Sequence, residues 1–209
     1  MNSSTQSVTL EGMAGRIQAL RDEPTEPARG VALIAHPHPL FGGTMDNKVV
    51  QTLARSAVSS GWQAWRFNFR GVGQSEGVHD AGLGESDDVI RVLEQIHQPG
   101  QALVLAGFSF GAFVTCRALQ ALAERSGDLS HVVLVGTAAA RFEVPHLPNE
   151  AAAKALVIHG EQDDTVPLSA VLDWARPQHL PVTVVPGVEH FFHGQLPLLK
   201  SMVTRHLSV

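Results

Sequence analysis

The reading of this chain turns on one stretch, Ala102-Leu-Val-Leu-Ala106-Gly107-Phe108-Ser109-Phe110-Gly111. The unbroken apolar run suits a strand, Ala102–Phe108, covered on both faces. Apolar residues from Phe110 to Arg125 then recur at helical spacing. At the junction stands G-x-S-x-G. A sharp strand-to-helix turn there strains the serine backbone and lifts its oxygen above the sheet edge. The flanking glycines leave room for the crossing backbone. The amide end of the helix faces the same point and favours a developing negative charge. Ser109 is therefore a candidate nucleophile.

Working outward, short apolar runs alternate with helical segments along the whole chain. Val8–Glu11 and Arg16–Leu20, joined by Gly12–Gly15, read as a hairpin. Strands are expected at Val31–Ala35, Gln63–Phe69, His131–Val135, Ala155–His159 and Val182–Val185. Helices are expected at Asn47–Ser60, Glu85–Ile96, Pro167–Ala175 and Gly194–Leu207. Such alternation implies an α/β fold: a mostly parallel twisted sheet of about eight strands with helices on both faces.

A serine hydroxyl needs an imidazole to take its proton and a carboxylate to fix that imidazole's tautomer. Both follow in the chain, in loops after the last two strands, where ligand sites of open α/β sheets form. One loop is His159-Gly-Glu-Gln-Asp163-Asp164-Thr-Val-Pro167, the other Gly187-Val-Glu-His190-Phe-Phe-His193-Gly194. Asp164 suits a solvated or helix-capping role, and His193 the mouth of the last helix. Asp163 and His190 are favoured.

With 209 residues, 44% hydrophobic and 17% charged, the chain suits one domain, 1–209, with a single core. A net charge of −5 gives no reason to expect a nucleic-acid partner. No basic-then-apolar leader or membrane span is read, and the lone Cys116 fits a reducing compartment. A cytoplasmic protein with a core thiol is the expectation.

Longer motifs carry a resemblance. They are His36-Pro-His-Pro-Leu-Phe-Gly-Gly-Thr-Met-Asp-Asn-Lys48, Phe67-Asn-Phe-Arg-Gly-Val-Gly-Gln-Ser75, Gly107–Gly111, His159–Pro167 and Gly187–His190. Together they resemble the α/β-hydrolase superfamily, in its small, lidless, dienelactone-hydrolase-like bacterial branch. The family patterns G-x-x-D-x-x-V-P and G-x-x-H select Asp163 and His190. Dienelactone hydrolases proper use a cysteine nucleophile, so serine here favours ester chemistry.

Two amides should hold the negative oxygen of a tetrahedral intermediate. One is that of Phe110, the residue after the nucleophile. Pro37 and Pro39 lack an N–H, and the family's His-Gly-x loop implies His38 as the other, with Leu40 the alternative. The expected function is a serine hydrolase, carboxylesterase-like, acting on a small-molecule acyl substrate without cofactor or metal. The connection Ala138–Lys154 is too short for a lid domain. Phe41, Phe108, Phe110, Phe191 and Phe192 are candidates for apolar walls.

Three other readings use the same residues. His36, His38, His159, His190 and His193 near Asp163 invite a metal site, but the prolines break any converging geometry and no H-E-x-x-H is present. Gly71-Val-Gly-Gln-Ser-Glu-Gly77 suggests a dinucleotide loop, yet no helix opens after it, so a structural turn is expected. Arg70 is a candidate partner of Glu85 or Asp87. A non-catalytic binding module is the third reading, and such proteins typically lose one of the three residues kept here.

Overall fold

Strand-to-helix alternation builds the sheet on which everything else rests. The computed structural model describes residues 5–209, the side chains of 124–126 excepted. Residues 1–4, part of the segment read for a leader, lie outside the described residues. The strands are β1 Gln6–Gly12, β2 Gly15–Asp22, β3 Gly30–Ala35, β4 Gln63–Phe67, β5 Ala102–Phe108, β6 Leu129–Val135, β7 Ala155–Gly160 and β8 Val182–Val185. They form one sheet in the order β1-β2-β4-β3-β5-β6-β7-β8. β2 runs antiparallel to β1 and β4, and the rest are parallel.

The helices are α1 Lys48–Ser59, α2 Leu83–Ile96, α3 Phe110–Ala121, α4 Asn149–Ala153, α5 Leu168–Ala175 and α6 Leu196–Leu207. Strand side chains alternate between two cores, as the period-2 pleat demands. Leu103 and Leu105 of β5 join the core under α2, α3 and α5, while Val104, Ala106 and Phe108 join the core under α1 and α6. α3 buries residues around nearly its whole circumference, Cys116 among them. That burial pushes the thiol pKa up, so Cys116 is an inert core residue.

Local signals explain the element ends. Asn47 caps α1, its side chain accepting from the amides of Val49 and Val50. α3 stops at Ala121 and continues as a 3-10 turn, Ala123–Asp128, earlier than the helical spacing predicts. α6 starts at Leu196 rather than Gly194, because Gly194 takes a left-handed turn (φ 73°). The segment between β6 and β7 holds only the short α4, and the described residues contain no lid domain. Trp62, Trp65 and Trp174 are core residues.

The 71–77 stretch is a structural turn: the Gly71 amide donates to the Glu76 carbonyl, and the Glu76 carboxylate meets Arg16 at 2.8 Å. Arg70 pairs with neither Glu85 nor Asp87. It meets Asp88 through two hydrogen bonds of 2.7 and 2.8 Å, because Asp88 faces inward on α2 and Asp87 outward.

Between β3 and β5 the chain reverses its direction of travel across the sheet. The crevice beyond the carboxyl ends of those two strands is the topological switch point, where this class of sheet binds its ligands.

Candidate active site

Ser109 lies at that switch point, between β5 and α3, with φ 57° and ψ −116°. Such a backbone is costly for a residue with a Cβ and persists only where its surroundings over-determine it. The Ser109 amide is tied to the Val135 carbonyl at 2.8 Å. The flanking glycines are sterically obligatory: a Cβ on Gly107 would come within 2.4 Å of the Gly111 backbone, and one on Gly111 within 2.4 Å of the Ala35 carbonyl oxygen.

From Ser109 a line of hydrogen bonds runs into the protein. The Ser109 hydroxyl lies 3.0 Å from His190 Nε2, and His190 Nδ1 lies 2.6 Å from Asp163 Oδ2. A carboxylate only accepts, so Nδ1 carries the hydrogen and Nε2 offers its lone pair to the serine. Asp163 is in turn held through Oδ1 by the amides of Thr165 at 3.0 Å and Val166 at 2.7 Å. All three side chains are buried. Asp164 and His193 are exposed, and His193 pairs with Glu189 at 3.1 Å.

The loop after β3 forms the opposite wall. His36 is fully buried and bridges two strand ends: its Nδ1 donates to the Pro37 carbonyl at 2.6 Å and its Nε2 accepts from the Phe69 amide at 3.0 Å. Burial pushes its pKa down to about 4, against the opposing pull of the Pro37 carbonyl. His38 lines the site. Its carbonyl accepts from Phe41 and Gly43, and its ring packs against Phe110 at 4.8 Å and His79 at 4.9 Å. Burial first, then the neighbouring His79 and Arg141, lower its pKa. Among the described residues no acceptor takes the His38 amide. The Leu40 amide is spent on His38 Nδ1, and its side chain points to solvent at 69% exposure. Phe110 opens α3, so its amide is one of those a helix leaves without an internal acceptor.

Between these walls lies a cavity of about 340 Å³ lined by Phe41, Phe110 and Phe191, with Phe142, Arg141 and Val166 completing it. Phe108 and Phe192 do not line it. Phe108 is buried behind the His190 ring, 4.9 Å away, and Phe192 turns into the core under α1 and α6. Phe142 and Arg141 are not among the residues the motifs single out, because no motif covers the connection after β6. A usable signal was present: Phe142 is the one large aromatic shortly beyond the carboxyl end of β6, the strand beside β5. Among the described residues no group of three His, Cys, Asp or Glu is placed to hold a metal ion, and no helix is long and apolar enough to cross a membrane.

A family description for the alpha/beta hydrolase fold matches residues 38–154, and the chain belongs to that family. It is similar to XC6422 of Xanthomonas campestris, a serine hydrolase without a lid, at 34% identity and TM-score 0.87 over 99% of this chain and 95% of that one. An alpha-beta serine hydrolase homologue from Coxiella burnetii is 33% identical, with TM-score 0.81 over 97% of each chain. An uncharacterized protein of Rickettsia prowazekii (strain Madrid E) is 30% identical over 88% of this chain and 81% of its own.

Proposed function

We propose that this single-domain protein is a carboxylesterase, cleaving small or exposed acyl esters through Ser109, His190 and Asp163. The observation that carries the reading is the hydrogen-bond line of 3.0 and 2.6 Å from a strained serine to a buried carboxylate. His190 Nε2 takes the hydroxyl proton as Ser109 Oγ attacks the ester carbonyl. The His38 and Phe110 amides receive the oxyanion. The tetrahedral intermediate collapses, the C–O bond to the alcohol breaks, and His190 gives that alcohol its proton. Water then repeats the attack on the acyl-enzyme, losing a proton to His190, which returns it to Ser109 as the acid leaves. The cycle needs no cofactor.

The apolar rings of Phe41, Phe110, Phe142 and Phe191 suit an acyl or aryl group rather than a charged peptide. Without a lid the site is open to exposed esters, and a cytoplasmic location follows from the sequence-based expectation.

The test is intact mass after treatment with a fluorophosphonate, beside hydrolysis of short p-nitrophenyl esters. One adduct in the parent is expected, absent in Ser109→Ala, with ester turnover in that variant lower by about 10⁴-fold or more. Folded parent protein that takes no adduct and turns over no ester would overturn the proposal.

A further inference from the structure

The Asp163 carboxylate has a second imidazole beside it. His159, the penultimate residue of β7, is fully buried. Its Nε2 stands 2.9 Å from the Val166 carbonyl oxygen and 3.5 Å from Asp163 Oδ2, while its Nδ1 has no hydrogen-bond partner among the described residues. Both neighbours of Nε2 are acceptors, so Nε2 carries the hydrogen. Val166 thereby closes a loop of contacts: its amide donates to Asp163 Oδ1, and its carbonyl accepts from His159.

We infer that His159 is a positioning residue, whose Nε2–H pins the 163–166 turn and so holds the carboxylate with Oδ2 on His190 Nδ1. The inference rests on the reading that Asp163 orients His190.

Charge supports the assignment. The titratable groups facing His159 are Asp163 on its own loop and His190 from the loop after β8. Burial lowers the His159 pKa, the Val166 carbonyl and Asp163 oppose that, and His190 adds to it. The ring is therefore neutral at pH 7. A second imidazolium here would compete with His190 for the one carboxylate at the moment His190 takes the serine proton. A neutral donor steadies the carboxylate without that competition. An apolar side chain of similar size would fill the space but supply no N–H, leaving the turn held from one side only.

The experiment compares the parent with His159→Gln, His159→Leu and Asp163→Asn. Glutamine places an N–H near the position of Nε2, and leucine has none. His159→Leu is expected to lower kcat about tenfold, equivalent to about 1.4 kcal/mol, with KM within about twofold, since Asp163 touches no substrate. His159→Gln is expected to recover kcat to within about threefold. The far-downfield proton resonance of His190 Nδ1–H should weaken in the leucine variant and return with glutamine, a signature that packing alone does not produce. Parental kcat in His159→Leu, or equal losses in leucine and glutamine, would overturn the inference. If the leucine variant does not fold, His159→Asn replaces it: too short to reach Val166, it should behave as leucine, and parental kcat there is the overturning result. Asp163→Asn separates the two claims. Should it keep parental kcat, the orienting role of Asp163 falls and this inference with it. If it is inactive while His159→Leu is unimpaired, only the His159 assignment fails.

Discussion

The two sides of the cleft at Ser109 are built by different physics. On one side Asp163 and His190 are buried polar groups, each held by hydrogen bonds of 2.6 to 3.0 Å from strand-end loops. On the other, the pocket wall is aromatic: Phe41 is 73% exposed with Arg141 over its ring at 5.5 Å, and Phe142 is held by stacking on Phe113 at 4.6 Å. Buried polar groups are worth much when satisfied and cost much when not. Exposed rings packed on one another tolerate exchange and set shape. The geometry around Ser109 is therefore over-determined, and that of the aromatic wall is not.

The largest break in this comparison should come from Asp163→Asn. The amide oxygen can still accept from Thr165 and Val166, but its nitrogen then faces His190 Nδ1 and imposes the wrong tautomer. We expect kcat to fall by about 10³- to 10⁴-fold with the fold retained. Steady-state kinetics beside a thermal melt decide it; an active variant would show the carboxylate to be merely structural.

The buried His36 of the β3 loop should make stability depend on pH. His36 titrates near 4 in the folded chain, below its ordinary 6.5, because it is buried. The unfolded chain then takes up this proton first as pH falls. The neutral ring's contribution is complete above about pH 6.5 and is lost progressively toward pH 4. At about 1.4 kcal/mol per pH unit, His36 alone removes roughly 2 kcal/mol between pH 7 and pH 5. Urea unfolding at the two pH values should show this loss, and His36→Asn should be less stable throughout but flatter in pH. An unchanged slope in that variant would assign the effect elsewhere.

The smallest effect belongs to the wall. Phe142→Ala opens the cavity beside Phe110 and His38, and should shift the ratio of kcat/KM for long over short acyl esters by about tenfold, a difference of about 1.4 kcal/mol. Profiles across a p-nitrophenyl ester series measure this. An unchanged profile would remove Phe142 from the acyl site.

The polar side of this cleft was readable in the sequence and the aromatic side only in part: Phe41, Phe110 and Phe191 line the cavity as expected, whereas Phe108 and Phe192 do not. Ser109, Asp163 and His190 each sit just beyond a strand in a short, punctuated loop, so spacing brings their loops to one sheet edge, while the family patterns pick Asp163 over Asp164 and His190 over His193. Of the two histidines after β8, the G-x-x-H pattern points to His190, and the structure puts His193 in solvent. Phe108 and Phe192 show the limit of that reasoning: adjacency to a site residue does not say which way a ring turns. Phe192 turns into the core because its backbone has φ 56°, which no local pattern announces.

Strand and helix periods, turn residues and loop spacing are local properties, and they alone determined the alternating elements, their order and the edge that gathers the reactive groups. The pairing of Arg70 with Asp88 and the inward turn of Phe142 were decided only in the tertiary structure. Each depends on which side chain fills the space left by elements distant in the chain, and that is a property of close packing, not of sequence distance.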